Sequence, residues 1–384
     1  IPEYIELYRK GAHASALRLI TEKNPLPFIT GTICAHNCMT KCMRNYYDEP
    51  VNIRATKLVA AEKGYDAYMS KITPPAPVTD GRKVAVIGGG PTGMSAAYFV
   101  GRAGIPVTLF EKADRLGGIV RQVIPAFRIS DEAIDKDVAL MEKMGVEVKL
   151  NTEAPSVAEL KAQGYTHIFF AVGAWKAGRL DIPGNVVPVI GWLRDMKAGK
   201  DVSLGHVAVV GGGNTAMDAA RAALRAGAKS STLVYRRTKK YMPADAEELE
   251  MAIADGVEFL ELVAPVEQKD GKLICEKMKL GDPDDKGRRK PVPTGEMVEI
   301  PCDTVVSAVG EKVESEVFTR NGITVDEKGI PAFKTNLEGV YAGGDAMRGP
   351  ATVVEGIADA QYFANAVIGE AHKFAIPAKA VATR

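Results

Sequence analysis

Two glycine-rich segments, each placed between a β-rich run and a helical run, constrain this chain more than any other feature. The first is Gly88-Gly-Gly90-Pro-Thr-Gly93 and the second is Gly211-Gly-Gly213-Asn-Thr-Ala216. The leading glycine of such a segment permits a tight turn, and the next lets a pyrophosphate approach the backbone at a helix N-terminus. The pattern predicts two strand–turn–helix units that each bind a dinucleotide.

The residues at the end of the next strand differ between the two units. Glu111 follows the first unit, whereas Arg236 and Arg237 follow the second. An acid accepts hydrogen bonds from a ribose diol, while arginines pair with a ribose phosphate. The second unit is therefore predicted to bind NADPH through Gly211, Gly213, Asn214, Arg236 and Arg237. The alternative for the two arginines is a solvated basic turn.

The first unit is predicted to bind FAD rather than NAD, because two further features suit a longer cofactor. A glycine pair at Gly117-Gly118 follows the acid, and Gly344-Asp345 supplies a second acid before a helix predicted from Ala351 to about Ala371. Such a helix would direct its positive N-terminus at a reduced flavin. The alternatives are a structural turn with a solvated Glu111, and Asp345 as a helix N-cap. The predicted FAD residues are Gly88, Gly90, Gly93, Glu111, Gly118, Gly344, Asp345 and Thr352.

The order of patterns along the chain predicts an α/β protein with nested domains. Residues 1–72 have helical spacing, and a proline-rich linker follows. Two similar strands, His167–Gly173 and Thr304–Gly310, each lie downstream of one glycine segment. We therefore predict a discontinuous FAD domain at 81–190 and 320–384, with the NADPH domain inserted at 191–319.

Composition excludes several classes of function. The 384 residues carry a formal net charge of +1, which argues against nucleic acid or a membrane surface as a partner. No apolar run approaches the ~20 residues of a membrane helix. The five cysteines favour a reducing, cytoplasmic setting. Because the chain begins Ile1-Pro2, we interpret it as a fragment of a longer protein.

Three of the cysteines, Cys34, Cys38 and Cys42, follow a C-x3-C-x3-C spacing. They could form part of an iron–sulfur ligand set, or they could be three thiols along one face of a helix. Cys275 and Cys302 are interpreted as structural. No C-x-x-C pair occurs in the sequence, so a disulfide reductase is the less favoured function.

Taken together, these segments resemble the glutamate synthase small-subunit family of NADPH-dependent flavoproteins, which includes the N-terminal part of dihydropyrimidine dehydrogenase and is nearest here to the YgfK type. The segments that carry the resemblance are Thr30–Cys42, Pro50–Arg54, Ile124–Arg128, Gly211–Asp218, Leu233–Arg237 and Gly343–Asp345. The resemblance implies electron transfer from NADPH to FAD and onward through two [4Fe-4S] clusters to a partner subunit or domain. It also implies cluster ligation by Cys34, Cys38 and Cys42, but the family's earlier cysteines lie upstream of Ile1. We therefore expect clusters in the full-length protein and not in this fragment.

The predicted function is hydride transfer from NADPH to FAD, with electrons passed on to further domains or a partner subunit. In this interpretation no side chain acts as acid or base, because the flavin carries the chemistry. The alternative from another class is an assembly subunit that holds FAD without turnover. The sequence does not identify the final acceptor or the oligomeric state.

Overall fold

The computed structural model describes residues 1–202, 204–284, 287 and 289–369. The helices are α1 Pro2–Arg9, α2 His13–Thr21, α3 Pro27–Ile33, α4 Asn37–Thr40, α5 Ile53–Met69, α6 Pro91–Arg102, α7 Gly118–Gln122, α8 Asp131–Glu142, α9 Val157–Ala162, α10 Val189–Lys197, α11 Asn214–Arg225, α12 Ala246–Ala254, α13 Glu316–Thr319, α14 Asp345–Arg348 and α15 Val353–Ile368, with 3₁₀ turns at Met43–Tyr46 and Lys239–Tyr241. The strands are β1 Val84–Ile87, β2 Val107–Phe110, β3 Glu147–Lys149, β4 His167–Phe170, β5 Lys176–Ala177, β6 Val186–Pro188, β7 His206–Val210, β8 Ser230–Tyr235, β9 Glu258–Glu261, β10 Val263–Lys269, β11 Lys272–Pro283, β12 Arg289–Pro301, β13 Thr304–Ser307, β14 Glu311–Lys312 and β15 Val340–Ala342.

The described chain divides into two compact units. One contains Ile1–Gln122, Ala126–Ala174 and the described residues from Val313 onwards, and the other contains Val123–Pro125 and Trp175–Lys312. The sequence put the inserted domain at 191–319. The structural unit begins earlier because β6 pairs with β13, which brings the segment before α10 into the second sheet.

The first unit is built on a five-stranded parallel sheet in the order β15-β4-β1-β2-β3. Its central strand, β1, is buried along its whole length, as expected for a parallel sheet covered on both faces. Two elements from the far end of the chain belong to this unit, because β15 pairs with β4 at one edge of the sheet and α15 packs on its face. Phe169 of β4 stacks on Phe363 of α15 with ring centroids 4.4 Å apart.

The second unit contains a matching parallel sheet in the order β6-β13-β7-β8-β9. A three-stranded antiparallel sheet, β10-β11-β12, belongs to the same unit. Each parallel sheet places its glycine segment directly after its central strand, β1 or β7. The α/β fold class with two Rossmann-like units is therefore confirmed.

The predicted helical N-terminal segment is also present, as α1 to α5. Asp137 of α8 is fully buried, and its carboxylate accepts hydrogen bonds from the N–H groups of Phe28 at 3.1 Å and Ile29 at 2.8 Å. These amides lie in the first turn of α3, where helix N–H groups lack partners within the helix. This contact attaches the helical segment to the rest of the first unit. Among the described residues, no helix has the length and apolar character needed to cross a membrane.

Two candidate dinucleotide sites

Close backbone packing explains the first and last glycines of the first segment. Gly88 has φ of +104°, and a Cβ there would lie 2.5 Å from the carbonyl oxygen of Ala171 at the end of β4. A Cβ on Gly93 would lie 1.8 Å from the carbonyl oxygen of Gly88. A larger residue at Gly88 would clash with the backbone that follows β4, and one at Gly93 would push α6 away from the turn. These two glycines therefore set the turn that precedes α6.

The middle glycine of the segment faces open space instead. The nearest atom to a Cβ added at Gly90 would be the Cα of Gly118, at 3.8 Å. The loop carrying Gly118 is fixed close by, because the N–H of Gly117 donates to the carbonyl oxygen of Gly89 at 2.8 Å. Two glycines thus line one cradle at the N-terminus of α6. A pyrophosphate fits such a cradle, since it accepts hydrogen bonds from amides at a helix start.

Glu111 lies at the end of β2, beside this cradle. Its side chain is 7% exposed, and its two carboxylate oxygens accept hydrogen bonds from the N–H of Gly89 at 2.6 Å and the N–H of Ala113 at 2.8 Å. The alternative of a solvated glutamate is therefore wrong. An ionised carboxylate has about four acceptor sites, so these two bonds leave capacity for the hydroxyl groups of a ribose.

The Gly344-Asp345 turn lies against the first glycine segment through Thr92. Gly344 has φ of +63°, and a Cβ there would lie 2.3 Å from the Thr92 hydroxyl oxygen. A Cβ on Gly356 of α15 would lie 2.2 Å from the same oxygen. Thr92 of α6 thus fits between two glycines from the far end of the chain. The sequence analysis did not identify this residue, and no local pattern indicates it.

A buried ion pair fixes the same turn. Asp359 is fully buried in α15 and accepts hydrogen bonds from the N–H of Gly344 at 2.9 Å and from Nε of Arg348 at 2.7 Å. The sequence analysis did not identify Asp359; the available signal was an acid with an alanine on either side in a mainly apolar helix. These contacts hold Asp345 at the start of α14, where its Oδ1 accepts from the N–H of Ala351 at 3.1 Å.

The helix that follows begins later than predicted, and Asp345 does not cap it. The start expected at Ala351 is wrong, because α15 begins at Val353 with Thr352 as its N-cap. The Thr352 and Glu355 side chains form a reciprocal capping box, with the Glu355 N–H donating to the threonine hydroxyl at 3.3 Å. The predicted end near Ala371 lies outside the described residues. A cofactor role for Thr352 stays a prediction, and its hydroxyl already caps its own helix.

The second glycine segment repeats the backbone of the first. Gly211 has φ of +159°, and a Cβ there would lie 2.3 Å from the carbonyl oxygen of Ala308 at the end of β13. No atom lies within 4 Å of a Cβ added at Gly213, so this cradle is also open. Tyr235 occupies the position of Glu111, and its ring would lie 2.5 Å from a Cβ on Gly212. An aromatic ring therefore covers the turn where the first unit has a carboxylate.

The two predicted arginines lie just beyond Tyr235. Arg236 is exposed and Arg237 is partly exposed, and among the described residues neither guanidinium is within ion-pair distance of a carboxylate. The loop that carries them folds back on the glycine segment. The Tyr235 hydroxyl donates to the carbonyl oxygen of Tyr241 at 2.7 Å, and the N–H of Ala244 donates to that of Gly212 at 3.0 Å. The loop that carries the arginines is thus fastened to the glycine segment.

Asn214 was predicted to contact the cofactor, and in the structure its side chain has a partner within the chain. Its Oδ1 accepts a hydrogen bond from the N–H of Asp245 at 3.1 Å. Asn214 is the first residue of α11, so this bond joins the loop to the start of the helix. Its amide nitrogen is not part of that bond.

The three N-terminal cysteines do not share a helix, so the alternative of three thiols on one helical face is wrong. Cys34 is the extended residue after α3, Cys38 lies in α4, and Cys42 is the extended residue before the Met43–Tyr46 turn. His36 has φ of +38°, which breaks the helical path between them. Within the described residues, no group of three or more His, Cys, Asp or Glu side chains is placed to hold a metal ion. These three residues alone are therefore not arranged as a complete ligand set, and their part in a larger one stays a prediction.

The remaining cysteines, Cys275 and Cys302, are fully buried in the second unit. Burial raises the pKa of the Cys275 thiol to about 12 and that of Cys302 to about 11. Because thiolate is the reactive form, neither is suited to disulfide exchange. Their interpretation as structural residues agrees with this geometry.

Comparison with known proteins finds two family models that match successive parts of the chain. The family described as pyridine nucleotide-disulphide oxidoreductase matches residues 82–360. The family described as dihydropyrimidine dehydrogenase domain II, 4Fe-4S cluster, matches residues 1–67.

Curated relatives and solved structures match across most of the chain. The protein named YgfK of Escherichia coli (strain K12) is 42% identical over 96% of this chain and 37% of its own length. The glutamate synthase [NADPH] small chain of the same strain is 31% identical over 96% of this chain and 85% of its own. The structure of Mycobacterium tuberculosis FprA in complex with NADPH aligns with a TM-score of 0.62 at 21% identity, covering 75% of this chain and 84% of FprA. At that identity the structural match supports the fold alone. The chain spans little more than a third of the length of YgfK.

Proposed function

Because this chain belongs to the pyridine nucleotide-disulphide oxidoreductase family, we propose that it is a flavoprotein oxidoreductase that takes hydride from NADPH onto FAD and passes electrons to a partner. The observation that carries the proposal is a difference between two otherwise matching turns. Glu111 is buried beside the first cradle, whereas exposed Arg236 and partly exposed Arg237 lie beside the second.

The first unit is proposed to hold FAD. Gly90 leaves room for the pyrophosphate, Gly118 packs so closely against Gly90 that a Cβ there would lie 2.8 Å from the Gly90 Cα, and Glu111 would accept hydrogen bonds from the adenosine ribose. Gly344, kept in place by Thr92 and Asp359, presents Asp345 as an acceptor for a further hydroxyl group. When bound, FAD supplies hydride acceptance and one-electron release.

The second unit is proposed to hold NADPH. Gly213 leaves room for the pyrophosphate at the start of α11, and Arg236 and Arg237 would pair with the 2′-phosphate. Tyr235 leaves no carboxylate at the strand end for the ribose diol of NADH. The preference for the phosphorylated coenzyme would therefore come from the arginines.

The electron acceptor is proposed to be a further domain or a partner subunit. The glutamate synthase relative is by name the small chain of a larger enzyme. Iron–sulfur clusters are proposed for the full-length protein, because residues 1–67 match the 4Fe-4S cluster family, and Cys34, Cys38 and Cys42 are proposed as part of the ligand set. A cytoplasmic setting, expected from five free cysteines, stays a prediction.

An anaerobic titration tests the proposal. Protein reconstituted with FAD should lose its flavin absorbance when NADPH is added. A charge-assisted hydrogen bond contributes about 1.5–3 kcal/mol. Arg236→Ala or Arg237→Ala should therefore weaken the binding of NADPH roughly 10- to 150-fold and leave the binding of NADH almost unchanged. Lys290→Ala, an exposed cation on β12, is the matched control.

Three outcomes would contradict parts of the proposal. Protein that stays colourless after incubation with excess FAD would remove the first site. A yellow spectrum that persists under excess NADPH would favour the assembly subunit. Equal losses for both coenzymes in the arginine variants would remove the assignment of the phosphate site.

A further inference from the structure

The basic loop after Tyr235 is anchored by the junction between β9 and β10. The side-chain oxygen Oε2 of Glu261 accepts a hydrogen bond from the N–H of Lys239 at 2.8 Å. The N–H of the next residue, Leu262, donates to the carbonyl oxygen of Arg237 at 3.2 Å. One carboxylate and one backbone amide therefore hold the loop on both sides of Thr238.

Leu262 makes its contact from an unusual backbone conformation. Its φ is +58°, in the left-handed region that branched and bulky residues rarely occupy. The antiparallel sheet stabilises this conformation through the carbonyl group of Leu262, whose oxygen accepts a hydrogen bond from the N–H of Met278 at 2.7 Å. Such strain persists only where the surroundings over-determine it, and it concentrates at binding sites.

Glu261 lies in register with Tyr235 on the neighbouring strand, at the carboxyl end of the sheet. This end is where open parallel sheets bind their ligands. A carboxylate close to a phosphate would weaken its binding by repulsion, so its position calls for a compensating gain. The hydrogen bond to Lys239 provides that gain, because it fixes the backbone that carries the two arginines.

We propose that Glu261 and Leu262 are positioning residues that set the preference of the second unit for a nucleotide bearing a 2′-phosphate. This inference rests on the proposed function of that unit. Fixing the loop before binding lowers the entropy lost when the long arginine side chains engage the phosphate. The pair would therefore act on the 2′-phosphate and leave the rest of the nucleotide unaffected.

The test compares two small probes by calorimetry, adenosine 2′,5′-bisphosphate and adenosine 5′-monophosphate, on the full chain without turnover. Glu261→Ala removes the acceptor. We expect this variant to bind the bisphosphate about fivefold more weakly or worse, and its affinity for the monophosphate to change less than twofold. Glu261→Gln keeps an acceptor oxygen, so this conservative variant should restore bisphosphate binding to within about twofold of the parent. A purely structural role would weaken both probes together or lower the melting temperature in both variants.

Leu262 is tested by a second pair of substitutions. Leu262→Gly is compatible with positive φ and should keep the ratio of the two affinities, whereas Leu262→Val places a β-branched residue there and should reduce the ratio. The glycine variant keeps the test decisive if the valine variant fails to fold. An unchanged ratio in Glu261→Ala would overturn the role of Glu261, and an unchanged ratio in a folded Leu262→Val would overturn that of Leu262.

Arg237→Ala separates this inference from the proposed function. If that variant keeps the parent's preference for the bisphosphate, the phosphate site itself is wrong. If Arg237→Ala loses the preference and Glu261→Ala keeps it, the site stands and the positioning role fails.

Discussion

Substituting Gly93 by alanine is the sharpest test of the first site, because the structure gives both the clash and its control. The added Cβ would lie 1.8 Å from the Gly88 carbonyl oxygen, and contacts under 3.0 Å are essentially never seen. The start of α6 or the turn must therefore move by about 1.2 Å. Overpacking of a tight core costs about 1–3 kcal/mol and occasionally more. We expect the free energy of unfolding to fall by about 3 kcal/mol, because the opposing atom belongs to the backbone and cannot rotate away.

The matched control is Gly90→Ala in the same segment. Its Cβ would meet nothing closer than the Gly118 Cα at 3.8 Å, which is an ordinary contact. The fold should tolerate this methyl group, but the group would occupy the space assigned to the pyrophosphate. Gly90→Ala should therefore fail to bind FAD but keep the melting temperature of the cofactor-free protein. Gly93→Ala should fail to bind FAD and should also melt at a lower temperature.

Two measurements on purified protein decide the outcome, namely the flavin-to-protein ratio after reconstitution and the thermal melting of the cofactor-free form. If the ~3 kcal/mol expected for Gly93→Ala is also lost from the binding of FAD, the dissociation constant for FAD rises more than a hundredfold. Gly93→Ala protein with the parent's flavin content and melting temperature would refute the argument from close packing. A full complement of flavin in Gly90→Ala would show that the cradle lies elsewhere.

Two further outcomes follow from buried groups. Asp359→Asn removes the charge that pairs with Arg348 and should lower the free energy of unfolding by about 3 kcal/mol. This value is near the low end for a broken buried pair, because Arg348 is partly exposed. Thermal unfolding of the variant measures the loss, and an unchanged melting temperature would contradict the prediction. The pKa of the Cys275 thiol is raised from 9.0 to about 12, so the unfolded chain loses this proton first as pH rises and the free energy of unfolding should fall between about pH 9 and 12. Cys275→Ala should flatten that slope in denaturant titrations. At pH 8 the exposed or partly exposed thiols of Cys34, Cys38 and Cys42 should react before unfolding, whereas the buried thiols should not.

Features that depend on a few neighbouring residues could be predicted from the sequence. The strand–turn–helix units are local, so Gly88, Gly93 and Gly211 indicated the correct turns. Thr352 and Glu355 also form a capping box that can be read from the sequence, and it marks the start of α15 at Val353 rather than at the predicted Ala351.

Features made by distant segments could not be predicted. Thr92 gains its place only when Gly344 and Gly356 pack against it, and nothing around Thr92 indicates which glycines will do so. Leu262 adopts positive φ because hydrogen bonds from two other segments require it, against its own preference. The extent of the second sheet depends in the same way on the pairing of β6 with β13, which are far apart in the sequence.

The discontinuity of the first unit has a consequence for how this protein is made. Its parallel sheet stays one strand short, and α6 lacks the Thr92 contacts from α15, until β15 and α15 leave the ribosome. Residues 175–312 are synthesised before that point and contain their own sheet, so they can fold co-translationally while the earlier segment waits. Nascent chains stalled before residue 340 should therefore resist protease in the inserted unit and remain cleavable around the first glycine segment.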